Sequence, residues 1–188
     1  MIRQRIRIIA AVCAAMVCVH LLNVMLGGYL TQFGIKPGQI TSLPYIFSAP
    51  WLHAGWMHLM NNLMGITVFS ALCLIRGPQF FFRSSIIIIT LTGLLVWLFG
   101  RGAAVHVGAS GWIFGLWSLS IAIAWFQRSF LNVSIAIFVA IFYGGMVWGL
   151  LSTNPYISFE SHLFGAIAGI VAAYIMARQK PIVGNAEK

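Results

Sequence analysis

The sequence predicts an all-α membrane protein, one compact bundle of six transmembrane helices. Two observations carry that expectation. Of the 188 residues, 61% are hydrophobic and only 7% are charged, whereas a soluble domain carries about 25% charged residues. Such a chain lacks the polar surface to stay in water, so it dissolves in lipid. The second observation is spacing: apolar runs of bilayer length, about 20 residues each, recur six times between polar connections.

The first run follows the start "MIRQRIRIIAAVCAAMVCVHLL", which imitates a secretory signal with its basic head and apolar core. It continues to about Leu26, long enough to cross a bilayer, and reads as a membrane helix over 7–27. The long connection "GGYLTQFGIKPGQITSLPYIFSAPWLHAG" comes next, with turn residues, aromatics and one charge, and is expected to lie along the interface. The other spans fall at 56–75, 84–100, 110–126, 130–152 and 158–177, with 178–188 as a short tail. They are joined by the short connections "RGPQFFFR", "RGAAVHVG", "QRS" and "STNPYI". Nothing marks a second domain or a repeat, so 1–188 reads as one unit.

Charge sets the direction of insertion. With a cytoplasmic N-terminus, that side holds Arg3, Arg5, Arg7, Arg76, Arg83, Arg128, Arg178, Lys180 and Lys188, and the other only Lys36 and Arg101. Nine against two is a clear positive-inside bias, which places both termini in the cytoplasm. The net charge of +9 is scattered at the ends of apolar runs, unlike a phosphate-binding stripe, so no nucleic-acid partner is expected. Cys13, Cys18 and Cys73 are odd in number and lie inside apolar runs; they read as buried small hydrophobes with no disulfide framework.

In this orientation spans two, four and six enter the membrane from its outer leaflet. Ser110 opens the fourth within "GASGWIFG". A Gly-x-Ser-Gly turn can present a nucleophile, and small residues packing at a helix start produce it as well. His162 lies about one turn into span six, and His58 and Asn62 lie four apart on one face of span two. Three helices thus bring a hydroxyl, an imidazole and two more polar groups to similar depth, and polar groups there face a bundle interior or a water-filled cavity.

The inventory narrows the chemistry. The chain has no aspartate and two glutamates, Glu160 and Glu187. An aspartyl protease needs two aspartates, and a zinc protease of the His-Glu-x-x-His type needs a glutamate that "HAGWMH" and "HLMNN" do not supply. Proton-coupled transport through paired carboxylates also lacks its parts, and the apolar inner halves of the spans offer no path for a channel. Serine with histidine remains, and it calls for no metal and no cofactor. Histidine would take the hydroxyl proton, while His58, Asn62 and the Ser110 N–H could donate to an oxyanion. Glu160 stands two residues before His162, about 200° around a helix, so it is expected to point away and to sit against the helix N-terminal dipole. Ser110 and His162 therefore read as a dyad. Gly111 with Gly115, and Gly165 with Gly169, form Gly-x-x-x-Gly pairs that would let spans four and six approach closely.

These residues resemble the rhomboid family of intramembrane serine proteases across the six-span core. The likeness rests on "HAGWMHLMNN" with His53, His58 and Asn62, on "GASGWIFG" with Ser110, and on "FESHLFGAIAG" with His162, Gly165 and Gly169. It implies a rhomboid-like bundle with a Ser110–His162 dyad and an oxyanion site of His58, Asn62 and Ser110. Gly108, Gly111, Phe114 and His53 would support that site. It further implies a serine endopeptidase acting on transmembrane or membrane-anchored substrates, in a cell membrane such as the bacterial inner membrane, with its site opening to the extracytoplasmic side. Two departures stand out. Bacterial members often carry Trp-Arg where this chain has Pro44-Tyr45 in a shortened first loop, and the tyrosine frequent four residues after the nucleophile is Phe114, whose face could still stack on His162.

The rival reading is a non-catalytic membrane-protein binder of the same fold. Such pseudoproteases typically lack the serine or the histidine, and both are present here. Among the remaining polar and aromatic residues, His53 is expected to organise the first loop by hydrogen bonding and His20 to bond between helices. His106 is expected to be exposed in its loop, and Trp51, Trp56, Trp97 and Trp148 to form interfacial belts. Phe138, Phe142 and Trp148 suit a gate against span two and lipid-facing bulk equally. Peptide bonds in a stable helix are shielded, so a substrate should unwind near its outer end, with small residues at the cut.

Overall fold

The computed structural model describes residues 1–102, 104–151 and 158–178. Its six helices are α1 Ile2–Met25, α2 Trp56–Leu74, α3 Pro78–Phe99, α4 Ser110–Phe126, α5 Phe130–Tyr143 and α6 Phe159–Arg178. α1, α2, α3, α6 and the stretch Phe130–Leu151 are each long and apolar enough to cross a membrane. α4, at 17 residues, is shorter. The chain is a helical membrane bundle.

α4 is the axis of that bundle. Every residue from Gly111 to Ser120 is buried, as expected of a helix apolar on all sides, and α2, α3, α5 and α6 all pack on it. α1 sits outside, against α2 and the first connection. Few of its residues are buried (Met16, His20 and Asn23), and Cys18 lies on its exposed face rather than inside.

The tightest seam runs between α4 and α6. A Cβ on Gly165 would run into the Gly111 carbonyl, and one on Gly169 into the Gly115 carbonyl. Both contacts advance together along the chain, so the two helices are parallel and meet backbone to backbone, as small residues allow. Ser118 Oγ donates across the seam to the Ala166 carbonyl at 2.7 Å. Ser110 and the first turn of α6 consequently lie at one end of the bundle. At the other end Arg5 donates to the Ile75 carbonyl at 3.3 Å, and Arg76 Nε to Asn132 Oδ1 at 2.8 Å.

Three helix ends differ from the sequence reading. α1 starts at Ile2 rather than 7, taking its three arginines into the first turns. α3 starts at Pro78 rather than 84, because proline's fixed φ and missing N–H suit the first helical position. Gly77, at φ 108°, makes the turn before it, and "QFFFR" is helix rather than connection. α5 stops at Tyr143, and the chain tightens into a 3-10 stretch over Gly144–Leu151. The connection at 152–157 and the tail from 179 lie outside the described residues.

The first connection folds into three 3-10 turns, Tyr29–Phe33, Ile40–Ile46 and Ala49–Trp51. Ser42 Oγ donates to the Lys36 carbonyl and Ser48 Oγ to the Phe33 carbonyl, both at 2.7 Å. Ile35 and His106 exchange two backbone hydrogen bonds of 3.0 and 2.9 Å, and the Gly108 N–H donates to the Ala49 carbonyl at 2.8 Å. The first connection and the α3–α4 connection thus form one packed layer at the end where Ser110 lies.

Candidate active site

The turn into α4 is shaped by Gly108, whose φ of +114° is a conformation open essentially to glycine. A Cβ there would also lie 2.5 Å from His58 Nε2 and 3.5 Å from Asn62 Nδ2. His58 and Asn62 on α2 therefore press against the turn that leads to Ser110, and Asn62 Nδ2 donates to the His58 carbonyl at 3.0 Å. Ser110 is the first helical residue. Its N–H belongs to the turn that has no intrahelical acceptor, at the positive end of the helix dipole. Trp112 Nε1 donates to Ser85 Oγ at 3.0 Å, anchoring this turn to α3.

His162 is held from two sides. Its Nδ1 lies 2.9 Å from the Gly149 carbonyl oxygen. A carbonyl only accepts, so Nδ1 carries the hydrogen and Nε2 keeps its lone pair. The Phe114 ring stacks on the imidazole at 4.2 Å between centroids and 11° between planes. Gly149 is needed for this approach, since a Cβ there would lie 2.6 Å from Phe114 Cζ.

Ser110, His162, His58 and Asn62 line one cavity of about 1270 Å³. Among the described residues no hydrogen bond joins Ser110 to His162; such bonds are often long without substrate and tighten when it binds. The cavity extends between α2, which contributes Met60, Met64 and Phe69, and the end of α5, which contributes Tyr143 and Met146. Phe69 and Tyr143 meet edge to face at 5.3 Å. Phe138, Phe142 and Trp148 are all exposed and none of them lines this cavity. Tyr143 and Met146 escaped the sequence reading because 130–152 reads as one unbroken span, whereas α5 ends at Tyr143 and a 3-10 stretch follows. Gly149 escaped it because a backbone acceptor leaves no mark in a sequence.

Glu160 is 5% exposed and forms an ion pair with Arg101, Nε to Oε1 at 2.6 Å. The contact is ionic in geometry, for neither carboxylate oxygen accepts a well-aligned hydrogen bond. His106 is buried rather than exposed. Its backbone pairs with Ile35, its Nε2 donates to the Arg101 carbonyl at 3.3 Å, and its Nδ1 accepts from Ser158 Oγ at 2.7 Å. Burial holds this imidazole below its usual range, while the Arg101 carbonyl and the Glu160 carboxylate pull it back up.

Two other histidines also depart from expectation. His53 is fully buried and neither ring nitrogen makes a well-aligned hydrogen bond, the Trp51 backbone beside it giving a weaker contact; it packs edge-on against His58 at 5.2 Å. Burial first, and then His58, pushes its pKa down to about 4 against an upward pull from the Trp51 backbone. The first loop is organised by Ser42, Ser48 and the bridge to His106 instead. His20 makes no interhelical hydrogen bond either, and rests edge-on against Trp56 at 4.6 Å. Trp97 Nε1 donates to the Gln39 carbonyl at 2.9 Å, a tie to the first loop that the sequence did not suggest. Tyr45, in place of the expected arginine, packs its ring on Phe33 at 5.4 Å.

Fold and site together define a polytopic membrane protein with a serine–histidine pair facing one cavity at the end of its central helix. The Rhomboid domain family matches residues 38–179, and the protein belongs to the rhomboid family. It is 35% identical over 172 residues to an uncharacterised protein of Mycobacterium tuberculosis, covering 87% of this chain and 72% of that one. An uncharacterised Mycobacterium leprae protein is 31% identical over 172 residues, 87% of this chain and 68% of its own length. Rhomboid-like protein 11, chloroplastic, of Arabidopsis thaliana is 29% identical over 145 residues, 70% and 51% of the two chains.

Proposed function

We propose that the protein is an intramembrane serine endopeptidase that cleaves transmembrane or membrane-anchored proteins near the outer leaflet. The observation that carries this reading is the setting of His162: Nδ1–H on the Gly149 carbonyl, ring on Phe114, Nε2 left with its lone pair, and the residue lining the same cavity as Ser110. The substrate enters between α2 and α5 with its scissile bond unwound. Ser110 Oγ attacks the carbonyl carbon and its proton passes to His162 Nε2. The imidazolium so formed keeps its bond to Gly149 and gains a cation–π contact with Phe114. His58, the Asn62 amide and the Ser110 N–H donate to the oxyanion, a role that calls for Asn62 to turn from its own helix. The leaving amine takes the proton from His162, and water, activated by the same base, then releases the acyl group from Ser110.

The nine-to-two division of basic residues favours cytoplasmic termini in a cell membrane such as the bacterial inner membrane, with the site opening to the extracytoplasmic side. Retention of both Ser110 and His162 favours the protease over a non-catalytic binder of membrane proteins. The test is labelling of detergent-solubilised protein with a fluorophosphonate probe, mapped by mass spectrometry. Label should appear on Ser110, and Ser110→Ala should lose both label and cleavage while remaining folded. Cleavage by Ser110→Ala at the wild-type rate would overturn the assignment.

A further inference from the structure

The glycine seam sets how close α4 and α6 come, but His162 sits in the first turn of α6, where helix ends fray most readily. Gly149 and Phe114 hold the His162 side chain itself, while the residues around it in that turn are tied to the α3–α4 connection. Glu160, one of only two acidic residues in the chain, is spent on Arg101 at 2.6 Å. The same guanidinium lies over the Phe159 ring, 5.5 Å from its centroid. Ser158 Oγ donates to His106 Nδ1 at 2.7 Å and lies 2.7 Å from Ser161 Oγ. The Ser161 N–H caps back onto Ser158 Oγ at 3.2 Å. His106, in turn, is four residues before Ser110 on the strand of chain that delivers it.

We propose that Arg101 and Glu160 are positioning residues for the dyad: their ion pair, with the His106–Ser158 hydrogen bond beside it, makes the α3–α4 connection and the first turn of α6 move as one body. The chain segment carrying Ser110 and the helical turn carrying His162 are thereby locked from outside the helix seam. Glu160 acts on geometry through Arg101 and does not orient His162 directly, since the Nδ1 of His162 is occupied by Gly149. The ion pair is suited to this work because a buried carboxylate tolerates no position away from its cation. Arg101 also lines the cavity, so the lock borders the space that holds Ser110 and His162.

This inference rests on the protease reading, and its test separates the two. Arg101→Gln, Glu160→Gln and the double variant are measured for cleavage of a membrane-embedded substrate, with hydrogen exchange of residues 159–165 followed by mass spectrometry. Loss of alignment by about an ångström costs up to roughly a hundredfold in rate. Each single variant should therefore lose about tenfold to a hundredfold in kcat with KM within about twofold, and the double should lose no more than the worse single variant. Exchange of the α6 first turn should quicken in all three, whether or not the protein cleaves anything, and Arg101→Lys should restore part of kcat. If a single variant does not fold, the double, which buries no unpaired charge, carries the test. A kcat within twofold of wild type in a folded variant, additive losses, or unchanged exchange would each overturn the lock. Absence of cleavage and probe labelling in the wild-type protein would instead remove the protease reading, and the exchange result would still decide the lock.

Discussion

The Gly149 carbonyl oxygen stands behind His162 in the place where a soluble serine protease keeps a carboxylate, 2.9 Å from Nδ1. A neutral acceptor fixes the tautomer without supplying a counter-charge, so orientation of the base depends on how closely the 3-10 stretch Gly144–Leu151 approaches the imidazole. Gly149→Ala tests this dependence. Its Cβ would meet Phe114 Cζ at 2.6 Å, displacing the ring that stacks on His162, while lying at ordinary contact distance, 3.6 Å, from His162 Nδ1. Turnover should fall by about tenfold to a hundredfold with the unfolding midpoint nearly unchanged. Full activity in Gly149→Ala would mean that the close approach of this stretch to Phe114 and His162 is dispensable.

Asn62 and His58 should behave as donors rather than as members of the dyad. Removal of one oxyanion donor costs about 10² to 10³ in rate. Asn62→Ala should therefore still take up the fluorophosphonate probe, only more slowly. A folded Asn62→Ala that never labels would point to a structural role through its 3.0 Å bond to the His58 carbonyl.

The α4–α6 seam should tolerate no added atom. Gly165→Ala places a methyl group against the Gly111 carbonyl, and Gly169→Ala places one against the Gly115 carbonyl and Ser118. Overpacking of this kind costs about 1–3 kcal/mol, to be read as a lowered unfolding midpoint in detergent. Gly145→Ala, where a Cβ meets nothing within 4 Å, is the control. Equal midpoints for all three variants would contradict backbone contact at the seam.

Stability should fall on acidification through His53. Its pKa is about 4 in the folded protein against about 6.5 unfolded. Between those values the unfolded chain binds the extra proton, so stability is full above about pH 6.5 and declines as pH drops toward 4, by at most about 3 kcal/mol. His106, also held below its usual range by burial, contributes in the same direction. His53→Gln should flatten the slope measured by thermal unfolding between pH 7 and 4.5. An unaltered slope would assign the acid sensitivity elsewhere.

Topology is checked by labelling. In a chain whose three native cysteines are replaced, a cysteine at Ile40, which is 70% exposed in the first connection, should react with an impermeant maleimide from outside intact cells. A cysteine at Arg128 should react only after permeabilisation. The reverse pattern would place the site end in the cytoplasm.

The span count was legible because the chain repeats one bilayer length of apolar residues, and the candidate site because three polar clusters begin even-numbered spans. What could not be read was anything decided by a distant partner. Arg101 and Glu160 meet across fifty-nine residues of sequence, and His106 looked like a loop residue because its bridge to Ile35 lies seventy-one residues away. The start of α3 was a different kind of miss. The Gly77-Pro78 pair states a turn followed by a first helical residue, but the aromatic run after it resembled an interfacial loop.

The parallel seam also has a consequence in time. Ser110 and His162 are held on separate helices, and the histidine is synthesised fifty-two residues after the serine. At about 5–20 residues per second, the hydroxyl waits roughly 3–10 s in the nascent chain for its base. Even then the pair assembles only when the glycines of α6 settle against the carbonyls of α4. On the protease reading proposed above, the newborn chain would therefore pass through the insertion machinery, itself a crowd of membrane helices, as an inert polypeptide, and would become reactive only once α6 has docked.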